Sequence, residues 1–450
     1  VGSIVDSANM QRAGEALQIL ANTTFMNVVD AASFALLFPI VCRAMRESVH
    51  DAKKKGVQVV GASVSLIASP ELLAPYLAEL MPLLRECLMH PAADVEREAA
   101  KTFGLLAGGL PQVGDDDIMP YLLEQLASQN TNDDVSEVDR RGAAHGLTEV
   151  LIRRPDLLQG CLTETVLPRI AKGETAETKA GALAVFQFLP HLAPSQFLPY
   201  LVRCLPTVLA ALCEDSEVIT KQAKRAVETL VEEYGPSYPK LLLAHMQDSL
   251  YFEGEAQDMA MNLFFFFCDK IQEACKFGQD FTSVEVLSPT QRRSLLSSIF
   301  IARTDPNHAV RRSATLLWKE RVQSGPKAKA EILPLLLQLL KGLKKSGQPA
   351  RVAAANACLA ELKTAGDVQD DDLENVEAAY FLADGASTAA SAGGAATAAP
   401  RPPPARAELL RSRARKVLPE QELPVPLRAY IESVVVSCCV EASSKAEAIE

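Results

Sequence analysis

Basic side chains are concentrated in one stretch of a chain that is acidic overall. The 450 residues carry a net charge of −11, yet residues 289–354 contain thirteen Lys and Arg against three acidic residues, a net +10. Lysine and arginine side chains that neutralise phosphates release counterions, so this composition indicates a phosphate-binding surface. The alternative is a solvated face that happens to be basic. The candidate RNA contacts are Arg292, Arg293, Lys319, Arg321, Lys341, Lys344 and Lys345.

The type of nucleic acid follows from what accompanies these charges. No aromatic platform interleaves them, so stacking of single-stranded bases is not indicated. Trp318, the only tryptophan, falls at the spacing of a core residue. Contact with folded RNA, recognised by its shape, therefore fits the pattern better than sequence readout.

Patterns that carry catalysis or bind metals are absent from the sequence. There is no H-E-x-x-H, no phosphate-binding glycine loop and no G-x-S-x-G. The six histidines are isolated, and His145, in an apolar stretch, is interpreted as structural. The acidic clusters 115–117 and 133–134 are interpreted as solvated turns, because a cation site needs more oxygen ligands. We therefore predict that the chain is not an enzyme, with no catalytic residue, cofactor, metal or small-molecule substrate.

Repeated helices must position the basic residues. Pro-Tyr-Leu occurs at 75–77 and 199–201, each time with a second proline seven residues after the first, and the phrase returns at 120–122. These intervals indicate a unit of roughly forty residues, and that period with two helices per unit is typical of HEAT/armadillo-type repeats. The predicted fold is an all-α solenoid of superhelical helix pairs. Prolines equivalent to the second one are predicted to bend the first helix of each unit, at Pro39, Pro82, Pro168, Pro206 and Pro334.

The chain divides into four predicted segments. Residues 1–28 form a partial helical segment, and 29–365 form an array of about eight repeat units. Residues 366–405 are acidic at first and then form a flexible linker rich in Ala, Gly and Pro. Residues 406–450 contain a basic helix and a degenerate helical repeat. Residues 276–290 are predicted to be a loop inserted between two units.

A second regularity concerns the turns inside the units. An Asp precedes a basic residue by six positions at three such turns. We predict that each Asp caps the second helix and that the basic side chain reaches the Asp of a neighbouring unit. Stacked units would then share a polar ladder beneath the core. Its members are the pairs Asp134 and Arg140, Asp215 and Lys221, and Asp305 and Arg311.

The cellular compartment is predicted from the remaining composition. The ten cysteines form no C-x-x-C pair and lie mostly among apolar residues, as buried reduced thiols do. No secretory signal is visible, and no apolar run approaches the ~18 residues that span a bilayer. We therefore predict a cytoplasmic protein that does not contact membranes.

Four stretches in collinear order, within roughly residues 25–365, resemble one family. They are residues 72–104, the phrase V-D-R-R-G-A-A-H-G-L-T-E-V at 138–150, residues 302–319 and E-I-L-P at 331–334. They resemble the general-control non-derepressible translational activators, very large HEAT-repeat coactivators of the stress kinase that phosphorylates translation initiation factor 2. The resemblance implies an internal fragment, in or just after the part similar to the HEAT region of fungal elongation factor 3.

The resemblance also implies a function. The chain would belong to a non-catalytic scaffold that binds the ribosome and helps to activate the stress kinase during amino-acid starvation. The basic residues of 289–354 would then be ribosome contacts. The kinase and an ATP-binding-cassette-type cofactor protein would be partners through the full-length protein. The alternative is a HEAT-repeat adaptor of another class, a nuclear-transport receptor or a phosphatase scaffold, that binds protein segments.

Overall fold

The computed structural model of the chain describes residues 15–16, 18–19, 31–47, 49–66, 70–128, 133–173, 175–274, 281, 286–322, 324–346 and 348–369. Most of the predicted segment 1–28, most of the predicted inserted loop 276–290 and nearly all of the predicted linker lie outside these residues. The predicted basic helix and degenerate repeat at 406–450 lie wholly outside them.

From residue 31 onwards the described helices follow one another in eight pairs, and no strand occurs among the described residues. The predicted all-α HEAT/armadillo-type solenoid is confirmed. In chain order the pairs are α1 (Ala31–Arg46) with α2 (His50–Leu66), α3 (Ala74–Leu88) with α4 (Ala93–Gly109), α5 (111–125) with α6 (Asp133–Arg153), α7 (155–172) with α8 (Ala176–Leu192), α9 (Pro194–Cys213) with α10 (Glu217–Tyr234), α11 (Pro239–Ser249) with α12 (Glu255–Glu273), α13 (Pro289–Ala302) with α14 (His308–Arg321), and α15 (Gly325–Lys345) with α16 (Pro349–Thr364).

The pairs stack in chain order around one continuous apolar core. Each second helix from α2 to α12 contacts the second helix of the next pair, while first helices such as α9 and α11 contact one another on the other side. A repeat helix has one apolar stripe and cannot bury it alone, so stacking of neighbours forms the core. The order of the contacts therefore follows the order of the sequence.

Prolines interrupt the first helices at recurring places. Pro39, Pro82, Pro206 and Pro334 lie inside first helices. In α5 and α7, a π-helical turn directly precedes the residue before Pro120 and Pro168. A proline removes a backbone donor, and a π turn alters the hydrogen-bond ladder, so both devices bend a helix.

Contrary to the prediction that no apolar run approaches the length of a membrane span, helix α9 is long and apolar enough to span a bilayer by length and composition, and it is the one described helix of this kind. Its apolar side chains are nevertheless packed inside the protein, with Phe197, Leu201, Leu205 and Val208 all buried. Core helices of soluble proteins commonly meet the same criterion. The apolar composition of α9 is therefore explained by its place in the stack.

The stack changes at its C-terminal end. All eight residues of 295–302 in α13 are buried, so this helix is enclosed on all sides instead of along one stripe. Helix α16 packs mainly against α15 and α13, and its Arg351 reaches Asp248 of α11 at 3.3 Å. Burial raises the pKa of Asp248 to about 6, although the Arg351 guanidinium acts in the opposite direction. The last pair therefore closes around α13 and does not continue the row of second helices.

Candidate nucleic-acid interface

The structure distributes the seven candidate RNA contacts over three helix ends. Arg292 and Arg293 lie near the start of α13, Lys319 and Arg321 in the last turn of α14, and the three lysines 341, 344 and 345 in the last turns of α15. Arg293 lies beside Glu331, 3.6 Å away, near the start of α15. Thirteen residues separate Glu331 from Lys344, which corresponds to about 20 Å along a helix. The basic residues of α13 and α15 are thus spread along the pair.

Much of the positive charge is compensated by acidic residues from distant parts of the chain. Arg321 pairs with Asp269 of α12, and Lys329 pairs with Asp367. Arg303 lies 3.6 Å from Glu361, and Arg351 pairs with Asp248. The acidic partners of these four cations all lie outside residues 289–354, so the net charge of +10 overstates the local field. Among the described residues, Arg312, Lys319, Lys344 and Lys345 are exposed and have no acidic partner.

A concave surface without acidic side chains lies along α14. The depression has a volume of 810 Å³, and no Asp or Glu lines it. Leu316, which lines it and lies between Arg312 and Lys319 along the helix, is 49% exposed. Lys319 is one of the predicted contacts, and its neighbours Arg312 and Leu316 are not, although their i, i+4 and i, i+7 spacing along α14 places the three on one side of the helix. We call this surface the α14 face: Arg303, His308, Ala309, Arg311, Arg312, Ser313, Thr315, Leu316 and Lys319.

The third predicted ladder pair differs from its prediction. Arg311 donates from Nη1 to the backbone oxygen of Asp305, 2.9 Å away, and not to an Asp of a neighbouring unit. The Asp305 carboxylate instead accepts from the backbone N of Asn307 (2.8 Å) and from Nε2 of Gln257 in α12 (3.1 Å). Asn307 is the N-cap of α14, because its side chain accepts from Ala309 N. Burial raises the pKa of Asp305 despite these hydrogen bonds.

The second pair also differs from its prediction, because Asp215 does not cap α10 and Lys221 reaches a Glu of another unit. Asp215 is exposed, and Ser216 stands at the N-cap of α10. Lys221 contacts Glu137 of α6 at 3.0 Å, and Arg225 contacts the other oxygen of Glu137 at 2.8 Å. Burial of Glu137 opposes its ionisation, but the hydrogen bonds from these two cations outweigh burial and hold its pKa below the usual value. This ion pair joins α6 to α10 across the intervening α8.

The first pair involves the side chain of Asp134, which lies outside the described part of the chain. Its predicted partner Arg140 is buried and donates from Nη1 to the backbone oxygen of Ser128 and to Oγ of Ser136, both at 2.9 Å. Across the three pairs, the common element is a basic side chain that fixes a turn or a neighbouring helix.

Comparisons with known proteins decide the family. Residues 12–111 match the family model described as elongation factor 3/GNC1 HEAT repeat. The chain is 32% identical over 364 residues to Protein ILITYHIA of Arabidopsis thaliana, an alignment that covers 77% of this chain and 13% of that protein. It is 28% identical over 347 residues to the Homo sapiens protein named stalled ribosome sensor GCN1, covering 73% of this chain and 13% of that protein. It is also 28% identical over 342 residues to the Saccharomyces cerevisiae eIF-2-alpha kinase activator GCN1, covering 72% and 12%.

The chain belongs to the GCN1 family. The predicted family is thereby confirmed. Of the two classes of HEAT-repeat protein considered above, the chain belongs to the translational activators and not to the nuclear-transport receptors or phosphatase scaffolds. It spans about 13% of the length of the curated relatives that it matches. Within its described residues, no group of three or more His, Cys, Asp or Glu side chains is placed to hold a metal ion.

The GCN1-like phrase at 138–150 has a structural explanation in the contact between α6 and the preceding pair. Arg141 donates from Nε to Glu96 of α4 at 2.7 Å, and His145 Nδ1 lies 3.1 Å from the other oxygen of Glu96. The His145 ring also stacks on Phe188 of α8, with 4.4 Å between ring centroids. The interpretation of His145 as a structural histidine agrees with this geometry. Glu96, which the sequence pattern did not indicate, joins α4 to α6 through Arg141 and His145, and the His145 ring joins α6 to α8.

Replacement of Arg141 in the cluster of Glu96, Arg141 and His145 is expected to reduce the stability of the fold strongly. The Glu96 side chain is 3% exposed and that of Arg141 is 35% exposed. Arg141→Met leaves a buried carboxylate with His145 as its remaining ionisable partner and should reduce the free energy of unfolding by about 3 kcal/mol. Glu96→Gln is the matched control, because Arg141 can turn to solvent, and should cost about 1 kcal/mol. Urea melts followed by circular dichroism measure both, and equal losses would contradict this asymmetry.

Proposed function

We propose that this chain is a non-catalytic HEAT-repeat scaffold through which a GCN1-family protein binds the ribosome and helps to activate the initiation-factor-2 kinase during amino-acid starvation. The observation that carries the proposal is the similarity over 342 to 364 residues to relatives of this family. The human relative is named a stalled ribosome sensor, and the yeast relative is named an eIF-2-alpha kinase activator. A stack of helix pairs without a metal-binding group among its described residues is consistent with a binding role.

The proposed ribosome contact is electrostatic. Ribosomal RNA presents a dense array of phosphates, and exposed Lys and Arg bind it with release of counterions. Lys344 and Lys345 are exposed at the end of α15 and have no acidic partner among the described residues. Arg292, Arg293 and Lys341 lie on the same two first helices. The kinase and an ATP-binding-cassette-type cofactor protein are proposed partners of the full-length protein, which we place in the cytoplasm.

Charge reversal at five basic residues of α13 and α15 is expected to weaken ribosome binding. Every phosphate that is no longer neutralised should flatten the dependence of log affinity on log salt by about 0.7–0.9, a calibration taken from single-stranded and duplex DNA. The measurement is co-sedimentation of the full chain with ribosomes across a salt series, with folding checked by circular dichroism. The reversed residues are Arg292, Arg293, Lys341, Lys344 and Lys345, all to Glu.

A control variant with the same change in net charge distinguishes the effect of where the charges lie from the effect of net charge alone. It reverses five exposed basic residues elsewhere in the stack and should bind ribosomes nearly as the parent does. If the variant with reversed charges on α13 and α15 sediments like the parent at every salt concentration, these residues form only a solvated basic face. The control residues are Arg97, Lys101, Arg203, Lys224 and Lys240, all to Glu.

A further inference from the structure

The α14 face lies on the second helix at which the regular row of second helices stops. Each earlier second helix from α4 onwards packs between the second helices of the pairs before and after it. Helix α14 contacts α12 and α13, but α16 packs mainly against α13 and α15. The buried residues of α14 are Val310, Ala314, Leu317 and Trp318, and the opposite side leaves Leu316 49% exposed. A single exposed apolar side chain is ordinary on a protein surface, but here it lies in a depression of 810 Å³ beside unpaired basic residues, and a concave surface of this kind is a candidate binding site.

The chemistry of the α14 face specifies an acidic partner with apolar side chains. Arg312 and Lys319 have no acidic partner among the described residues, and no Asp or Glu lines the depression. Basic residues alone would suit a phosphate backbone. Leu316 at their centre favours instead an amphipathic helix, which lays its apolar stripe in a groove and its charges on the rim.

The described chain ends beside this face. After α16, Asp367 pairs with Lys329, and Val368 is buried. The Lys329 ammonium lies 5.9 Å from the ring centroid of Phe300, and the Arg303 guanidinium lies 4.9 Å from the same centroid. Arg303 is also part of the α14 face. Asp367, which lines a smaller depression together with Arg303, therefore lies close to the rim of the α14 face.

The next fifteen residues have the complementary composition. Residues 370–384 contain six acidic residues and no Lys, Arg or His. Leu373, Val376, Tyr380 and Phe381 recur at the spacings that place apolar side chains on one side of a helix. As a helix, this segment would be about 22 Å long, which matches the roughly 21 Å of the fourteen-residue α14.

We propose that residues 370–384 dock on the α14 face as an acidic amphipathic helix. Their apolar side chains cover Leu316, and their carboxylates lie against Arg312, Arg311 and Lys319. The segment takes the place that α16 leaves open, so the row of second helices is completed by a helix of the same chain. The inference does not depend on ribosome binding.

Hydrogen exchange in the full chain tests the docking. Two variants carry opposite charge reversals, Arg312→Glu with Lys319→Glu on the face and Asp371→Lys with Asp372→Lys on the segment. Backbone amides of 370–384 should exchange about tenfold or more faster in either variant than in the parent, because docking protects them. The combined variant restores opposite charges across the contact and should recover most of the protection. Lys344→Glu with Lys345→Glu, an equal charge change outside the face, should leave exchange unchanged.

The other occupants of the face are outcomes of the same experiment. Equal exchange of 370–384 in the parent and in both reversed variants overturns the proposal. It is also overturned if reversal at Arg312 and Lys319 lowers ribosome sedimentation while exchange of the segment stays as in the parent, since the face then binds RNA. Protection that rises with protein concentration overturns it as well, because the contact then belongs to a second copy and not to the same chain. Ribosome sedimentation of the parent tests the proposed function separately, so the two failures are distinguishable.

Discussion

Replacement of Gly181 by alanine should destabilise the packing of α8 against the end of α5 by about 3 kcal/mol, the upper end of the usual cost of overpacking. A Cβ atom at position 181 would lie 1.8 Å from the backbone oxygen of Leu126 and 2.7 Å from its carbonyl carbon. These are backbone atoms of a buried residue, so they cannot move aside as a flexible side chain would. The two helices must separate, and the apolar packing around Leu126 is then disrupted.

Gly160→Ala is the matched control for this prediction. A Cβ atom at Gly160 would meet nothing within 4 Å, and the residue has ordinary right-handed helical angles of φ −59° and ψ −48°. Alanine should therefore stabilise the helix by about 0.5–1 kcal/mol, because it restricts the unfolded chain and favours helix. Urea melts give the sign for each variant. A stabilised Gly181 variant would show that the close approach of α8 to α5 is wrong, and a destabilised Gly160 variant would show that the space beside Gly160 is not open.

Truncation of Leu205 in α9 is expected to cost about 2–5 kcal/mol, through reduced transfer free energy and the cavity that remains. The side chain is fully buried on the apolar stripe of its helix. Repeats pack mainly against their neighbours, so hydrogen exchange should accelerate in α9, α10 and the adjoining pairs more than in α13 and α14.

Lys224→Ala on α10 is the control for the Leu205 variant. Its side chain is 47% exposed, and its contact with Glu228 is a long i, i+4 pair of 3.9 Å. A surface pair of this kind contributes about half a kcal/mol or less. Comparable destabilisation in urea melts for Leu205→Ala and Lys224→Ala would mean that the apolar stripe of this pair has been assigned to the wrong side.

The sequence by itself determined the helix pairs and the family. Apolar residues at spacings of three and four define a helical stripe through local geometry alone, and Leu198, Leu201, Leu205 and Leu209 form such a stripe along α9. Prolines at 39, 82, 206 and 334 act on their own helix, and their places inside first helices were predictable for the same reason. The phrase at 138–150 indicated the family without its structural meaning. The structural role of the phrase became visible only in the contact of Arg141 with Glu96, which lies 45 residues away in the sequence.

Only the tertiary structure decided which charges remain available. Lys221 pairs with Glu137, and Arg351 pairs with Asp248, at separations of 84 and 103 residues in the sequence. A sum of charges over residues 289–354 cannot include such partners, because electrostatic pairing depends on distance in space. The displacement of α16 from α14 likewise follows from how the last two pairs enclose α13. Periodicity specifies which side of a helix is apolar, but packing decides which helix covers it, and here packing leaves the α14 face open.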